Sequence, residues 1–403
     1  MRRTRVVAAV LCAGMLVPGV AVATPAAAGT VAEHHVGNRG ELVSAKLITQ
    51  LSRQQVADYL AGYELDPSAA KNGVDLYLVT YRTVGVADRP TTASALTVLP
   101  RTEARTVRTV AWLHGTRASR AETGSLEENL DRGAAVLFAA SGYATVAPDY
   151  LGLGVGPGNH PYMLSKPTAT ATVDALRAGR TLAARHGKRL DGRVLLTGFS
   201  QGGQASMVVG RALRDSSEFE VRGIAAIAGP HDIRGEELPA ALDGRLNGVS
   251  AVIYLGYAMT AWHRYYPLYD SPSDVFRAPY DTVAEGLFDG SHSEPEIAAA
   301  LPGTPQELFT DEFLATLAHP TGTLKRILKE NDDPCQWRPT VPVRLFAGTA
   351  DTDVVLSNSE SCRTDLQAHG ARDVKLVNLG AVDHFGSART ALPQTLAWFT
   401  TLR

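Results

Sequence analysis

The sequence predicts an α/β protein with a mostly parallel central sheet flanked by helices and a helical cap inserted between two core strands. Three observations carry this expectation. Short apolar runs alternate with helix-like segments along most of the 403 residues, as a parallel sheet with crossover helices requires. One such run, Val194–Thr197, leads into Gly198-Phe199-Ser200-Gln201-Gly202 and then directly into a helix of small residues. About a hundred residues, 231–334, interrupt the rhythm before it resumes.

Taken in order, residues 75–82 and 93–99 alternate as two early strands, and Val107–Leu113 is an apolar run ending at His114-Gly115. Ala134–Ala140 reads as a helix, Tyr143–Ala147 as a strand stopped by Pro148-Asp149, and Thr168–Arg185 as a long helix with Gly187 just past its end. After the Val194–Thr197 strand, a helix runs from Ser200 to Leu213, and Ile224–Ala228 is the next strand, broken by Gly229-Pro230. The interruption holds short helical patterns, aromatics and prolines, without a clear β run. Val341–Ala347 then resumes as a strand and Ser357–His369 as a helix with a Ser357…Glu360 capping box. Val374–Leu379 and Thr390–Leu402 are the last strand and helix. The expected division is 29–230 for the first part of the core, 231–334 for the cap and 335–403 for the second part.

The first 28 residues read as a separate segment. Arg2, Arg3 and Arg5 precede the apolar stretch Val6–Val17, and small residues end in Ala26-Ala27-Ala28, the anatomy of an export signal peptide cleaved near Ala28. The stretch is short for a membrane span. The bulky Leu11 before Cys12 fits lipid attachment poorly, and Arg2-Arg3 is a weak match to twin-arginine export. Cleavage would remove three of 39 basic residues and no acid, leaving 36 against 41 acids and a mildly acidic, secreted protein of net charge −5. With no basic footprint, a nucleic-acid partner is not expected. A hydrophobic content of 45% and a charged content of 20% also exclude a disordered or fibrous chain. Cys335 and Cys362 remain and, in an oxidising compartment, read as one disulfide joining the exit of the cap to the following core. No C-x-x-C or H-E-x-x-H pattern suggests a metal, no cofactor is expected, and His34-His35 reads as solvated.

The chemistry centres on Ser200. In a sharp strand-to-helix turn, glycines at 198 and 202 are needed because a Cβ there would strike neighbouring backbone. Such a turn holds the serine oxygen clear of the sheet, at the positive end of the following helix. A hydroxyl needs a base, and His384, after the last strand, is the choice over His369 and the histidines of the cap. The acid belongs to the loop after Val341–Ala347. Asp351 fits through a G-x-x-D-x-x-V spacing, with Asp353 in reserve. The oxyanion donors are assigned to the backbone N–H groups of Gln201 and Thr116, the latter in the His114-Gly115-Thr116 loop, where His114 is given a structural part. Tyr254, Tyr257, Met259, Trp262, Tyr265, Tyr266 and Tyr269 crowd one stretch of the cap, either as an acyl-binding wall or lipid-facing lid or as the cap's own core. Tyr150, Tyr257 and Trp262 are the candidate substrate contacts.

With Ser200, Asp351 and His384 so placed, residues 75–403 resemble an α/β-hydrolase, and within that fold the secretory lipases of fungi and actinobacteria. Those enzymes carry a helical cap at the place of 231–334, and Asp149-Tyr150-Leu151-Gly152-Leu153-Gly154 followed by His160-Pro161-Tyr162 is similar to them. Val355 departs from the proline that many α/β-hydrolases have after the acid turn. The resemblance implies carboxylic ester hydrolysis, lipase or esterase in type, with Ser200 as nucleophile, no cofactor and a small-molecule or lipid ester as substrate. No obligate protein partner is expected; transient contact with a lipid interface is compatible with an aromatic cap. Peptidases and acyltransferases of the same fold share this residue set, and a non-catalytic binding protein on the scaffold is the reading from a different class.

Overall fold

Nine strands form one sheet among residues 38–402, the part of the chain that the computed structural model describes. The export signal read over 1–28 and the pair His34-His35 lie outside that part. The strands are β1 (Leu42–Leu51), β2 (Gly73–Val84), β3 (Pro90–Arg101), β4 (Thr106–Leu113), β5 (Ala144–Pro148), β6 (Arg189–Phe199), β7 (Glu220–Ile227), β8 (Val343–Ala347) and β9 (Val374–Asn378). Their order is β1-β2-β3-β5-β4-β6-β7-β8-β9. The first three and the β3–β5 pair are antiparallel, and every pairing from β5 to β9 is parallel.

The period of two along the central strands divides the core into two layers. On β4, Val107, Ala111 and Leu113 face one layer and Val110 and Trp112 the other; on β6, Val194 and Leu196 oppose Leu195 and Phe199. The helices Ser165–Arg185, Gln201–Leu213 and Ser357–Ala368 cover the first face, and Arg53–Gly62, Leu130–Ala140 and His384–Thr401 the second. Both faces of the central strands are therefore dry, which is why they read as unbroken apolar runs.

Between β7 and β8 the chain leaves the sheet for a series of helices, the longest Gly248–His263. These pack around an apolar cluster that they share with Ala118, Tyr162, Met163 and Leu164 and that includes Leu255, Tyr257, Met259, Trp262, Phe276, Phe288, Phe309 and Ile327. Among the described residues, the isolated β bridge Phe276–Phe309 lies within it. Among the described residues, no helix is long and apolar enough to cross a membrane.

Three local expectations are corrected. The strand β1 and the helix Arg53–Gly62 precede the first expected strand; β1 is an edge strand with mostly exposed side chains, so it lacks a buried-strand pattern. The Ser357…Glu360 box does not form. Ser357 is the first residue inside its helix, Leu356 takes the cap position without a side-chain bond, and the Ser357 hydroxyl has no partner among the described residues. The last helix begins at His384 rather than Thr390, because Asp383 caps it by accepting from the Gly386 N–H at 2.6 Å.

Candidate active site

Ser200 stands between β6 and the helix Gln201–Leu213 with φ +57° and ψ −122°, a conformation that L-residues rarely adopt and that costs about 1–3 kcal/mol. Its surroundings leave little alternative. The Ser200 N–H donates to the Ile227 carbonyl at 2.9 Å, and its carbonyl accepts from the Gly203 N–H at 2.8 Å. A Cβ at position 202 would lie 1.8 Å from the Leu113 carbonyl oxygen, and one at 198 would lie 2.5 Å from the same atom. The glycines therefore answer to the end of β4, the strand that leads into the Thr116 loop. A Cβ on Gly115 would itself lie 3.4 Å from Ser200 Cβ, so that loop runs directly beside the serine.

The loops after β8 and β9 are tied together before their side chains meet. The Thr349 N–H donates to Gly380 at 2.8 Å and the Ala350 N–H to Val382 at 3.2 Å. Asp351 Oδ1 accepts from the N–H groups of Asp353 and Val354, both at 2.9 Å, while Oδ2 lies 2.8 Å from His384 Nδ1. Asp351 and His384 are 6% and 3% exposed, so the pair is shielded from solvent competition. A carboxylate only accepts, hence Nδ1 carries the hydrogen. Nε2 is buried and has no partner among the described residues. The imidazole packs on Phe199, the residue before the serine, with ring centroids 4.5 Å apart. Of the two competing acids, the histidine is thus bound by Asp351; Asp353 contributes its backbone N–H to that carboxylate.

A network behind the Thr116 loop keeps it in place. Arg117 donates to the Thr116 carbonyl at 3.0 Å and to Asp131 Oδ2 at 2.5 Å, and Asp131 Oδ1 accepts from the Trp112 indole at 3.2 Å. Thr116 Oγ1 meets the Tyr162 hydroxyl at 2.8 Å. His114 Nδ1 donates to the Gly115 carbonyl at 2.7 Å, the loop-holding part expected of it.

His160 is a positioning group that the spacing of the sequence does not disclose. Its Nδ1–H donates to the Leu151 carbonyl at 2.9 Å, which leaves Nε2 to accept from the Gln201 amide at 3.0 Å. Burial lowers its pKa to about 3, so it is neutral and anchors the residue next to the serine.

A narrow apolar cavity opens on Ser200. Thr116, Gln201 and Tyr162 line it near the serine, with Leu238, Leu255, Met259, Trp262 and Leu328 among the walls. Tyr254 and Trp262 from the expected aromatic stretch are on this wall. Tyr150 and Tyr257 are not. Tyr150 is buried against His114 and His160, its hydroxyl donating to the His114 carbonyl at 3.2 Å, and Tyr257 stacks on Tyr162 at 4.4 Å with its hydroxyl on the Arg117 carbonyl at 3.3 Å. Both brace the wall from behind because their rings stack within the scaffold. The cavity also holds Glu237, an acid that the sequence does not single out.

Cys335 and Cys362 form a disulfide, with Cα atoms 5.2 Å apart, joining the chain after the inserted helices to the helix beyond the acid loop. Among the described residues, two clusters bring three potential metal-ligand atoms within 4.8 Å: His231 with these cysteines, and Asp351, Asp353 and His384. In the first both sulfurs are committed to each other, and in the second the Asp351–His384 hydrogen bond occupies two of the three groups.

The sheet order, the strained serine turn and the position of the inserted helices define an α/β-hydrolase. Within that class the chain belongs to the secretory lipase family, whose model matches residues 119–402, and it is a carboxylic ester hydrolase. It is similar over 90% of its length, and 98% of the other chain, to the rice cell wall degrading esterase LipA from Xanthomonas oryzae, at 29% identity and a TM-score of 0.81. A protein from Legionella pneumophila is 26% identical, with a TM-score of 0.82 over 89% of this chain and 97% of that one. Candida antarctica lipase A, at 14% identity and a TM-score of 0.63 over 86% of this chain and 78% of that one, shares the fold. No curated protein matches the chain.

Proposed function

We propose that the protein is an exported lipase or esterase that cleaves carboxylic esters through an acyl-enzyme on Ser200, with His384 as general base and Asp351 orienting it. The observation that carries this reading is the buried 2.8 Å bond from His384 Nδ1 to Asp351, with Nε2 unpartnered and the ring packed on the residue before Ser200. With Nδ1–H held by the acid, Nε2 is the basic nitrogen.

In the first half-reaction Ser200 Oγ attacks the ester carbonyl carbon while His384 Nε2 takes the hydroxyl proton. The negative charge on the carbonyl oxygen is received by the N–H groups of Gln201 and Thr116, a type of contact whose loss typically costs about 10² to 10³ in turnover. Collapse breaks the bond to the alcohol oxygen, which leaves with the proton from His384. Water then repeats the sequence on the acyl-enzyme, releasing the acid and restoring Ser200. Residues 231–334 act as a cap whose apolar wall receives part of the substrate, and residues 1–28 direct export, in keeping with the Cys335–Cys362 disulfide.

Hydrolysis of p-nitrophenyl esters from acetate to palmitate, with Ser200→Ala beside the wild type, tests the reading. It expects turnover that vanishes in the variant and fluorophosphonate labelling that depends on Ser200. A folded protein that neither hydrolyses any ester nor takes the label would overturn it.

A further inference from the structure

The cavity on Ser200 is lined mostly by hydrocarbon, and among its lining residues only Glu237 carries an ionisable carboxyl. Glu237 ends the wide helical turn Ile233–Glu237 at the start of the inserted helices and lines the cavity among Ile233, Leu238, Leu255, Leu324 and Val354. Its two oxygens are unequal. Oε2 accepts from the Asn358 side-chain amide at 2.5 Å. Oε1 is enclosed and has no hydrogen-bond partner among the described residues.

Among the described residues, no basic side chain forms an ion pair with this carboxyl. The charges that bear on it from the packed acid loop are Asp351 and Asp353, both negative. The phenols of Tyr162 and Tyr254 are the other titratable groups within its influence on the wall. Loss of solvation first, and the neighbouring aspartates after the opposing amide bond, push its pKa up to about 8. A carboxyl held neutral carries one O–H, and with Oε2 already accepting from Asn358, the hydrogen falls to Oε1. The result is a buried hydrogen-bond donor on a residue that lines a largely apolar cavity, with no partner for it among the described residues. Buried donors are rarely left so.

We propose that Glu237 is a specificity-determining residue that donates a hydrogen bond to a hydroxyl or ether oxygen on the part of the ester seated in the cavity. The substrate class is thus an oxygen-substituted ester, and an unbroken alkyl chain leaves the donor without a partner. This rests on the ester-hydrolase reading of Ser200. A site built to hydrogen-bond a substrate oxygen discriminates against the analogue that lacks it, because its own buried polar group then stays unpaired.

The test compares p-nitrophenyl esters of unbranched acids with isosteres in which one methylene is replaced by an ether oxygen at successive positions. The readout is the ratio of kcat/KM within each matched pair, for wild type, Glu237→Gln and Glu237→Leu. The wild type is expected to favour one oxygen position by about tenfold, the effect of one satisfied buried hydrogen bond. Glu237→Gln, which keeps an N–H donor, retains the preference, whereas Glu237→Leu loses it. Raising the pH through 8 should erase the preference in the wild type, where the ionised carboxyl can no longer donate, and leave it in Glu237→Gln. Equal ratios at every oxygen position, or the same preference in Glu237→Leu, would overturn the assignment while leaving ester hydrolysis intact. Should Glu237→Leu fail to fold, the pH contrast between wild type and Glu237→Gln decides. Failure to hydrolyse either member of any pair would sink the ester-hydrolase reading and this inference with it.

Discussion

Asp351→Asn isolates what the acid does for His384. The side chain at 351 is fixed from one side by two backbone donors, the N–H groups of Asp353 and Val354, both 2.9 Å from Oδ1. An asparagine keeps both bonds by placing its carbonyl oxygen there, and the opposite orientation would set its NH₂ against two N–H groups. Two bonds outweigh one, so the amide NH₂ faces His384 Nδ1, where Oδ2 stood at 2.8 Å. Nδ1 must then accept, which moves the ring hydrogen to Nε2 and removes the lone pair that would serve Ser200 as base in the proposed mechanism. The expected loss is about 10⁴ in kcat, about 5.5 kcal/mol of transition-state stabilisation. Fold and fluorescence-detected unfolding should change little, because the loop bonds survive. The assay is kcat and KM on a short p-nitrophenyl ester, with Asp353→Asn in parallel. Asp353 supplies only its backbone to the pair, so its variant should stay within a few fold of wild type. A loss below about a hundredfold in Asp351→Asn, or an equal loss in Asp353→Asn, would refute the tautomer argument.

Three further outcomes follow from the same contacts. Gly202→Ala places a Cβ 1.8 Å from the Leu113 carbonyl oxygen, a backbone atom in the sheet; a cost of about 3 kcal/mol or more is expected, seen as a lower Tm with lost serine labelling, and an unchanged Tm would contradict the packing. Replacing Cys335 and Cys362 together by serine opens a link across 27 residues and should cost about 3–4 kcal/mol in the chain-entropy account, measured by denaturant unfolding with and without reductant; the double variant should be indifferent to reductant. Burial pushes Glu237 up to about 8 and Asp332 up to about 7. Folded carboxyls with raised values hold protons that the unfolded chain has released, so their contribution is full below the ordinary carboxylate range and falls as pH rises through 7 and 8, by up to about 1.4 kcal/mol per unit for each group. Glu237→Gln should therefore lose less stability than wild type between pH 5 and pH 8, and parallel curves would refute the raised value.

Much of the architecture was legible because the central strands are buried on both faces. β4, β6 and β7 read as continuous apolar runs, and the glycines around Ser200 marked a turn whose steric reason is now the Leu113 carbonyl. Edges were less legible. β1 is solvated along most of its length and leaves no periodic signature, and the start of the last helix depends on Asp383 bonding the Gly386 N–H, a cap that no apolar pattern announces. Ser357 and Glu360 have the spacing of a capping box but stand one position too deep in their helix to form it.

The sequence by itself determined the serine turn and the order of the buried core elements from β2 onward, since each follows from local stereochemistry and from burial repeated along the chain. Only the tertiary structure decided which aromatic rings face the cavity. Trp262 and Tyr254 do, while Tyr257 and Tyr150 turn into stacks behind it, because stacking partners such as Tyr162 and His160 come from elsewhere in the chain. It also brought Glu237 to that wall beside Asn358, across 121 positions of sequence, and left one oxygen without a partner. A carboxyl's surroundings are set by long-range packing, and so is its protonation.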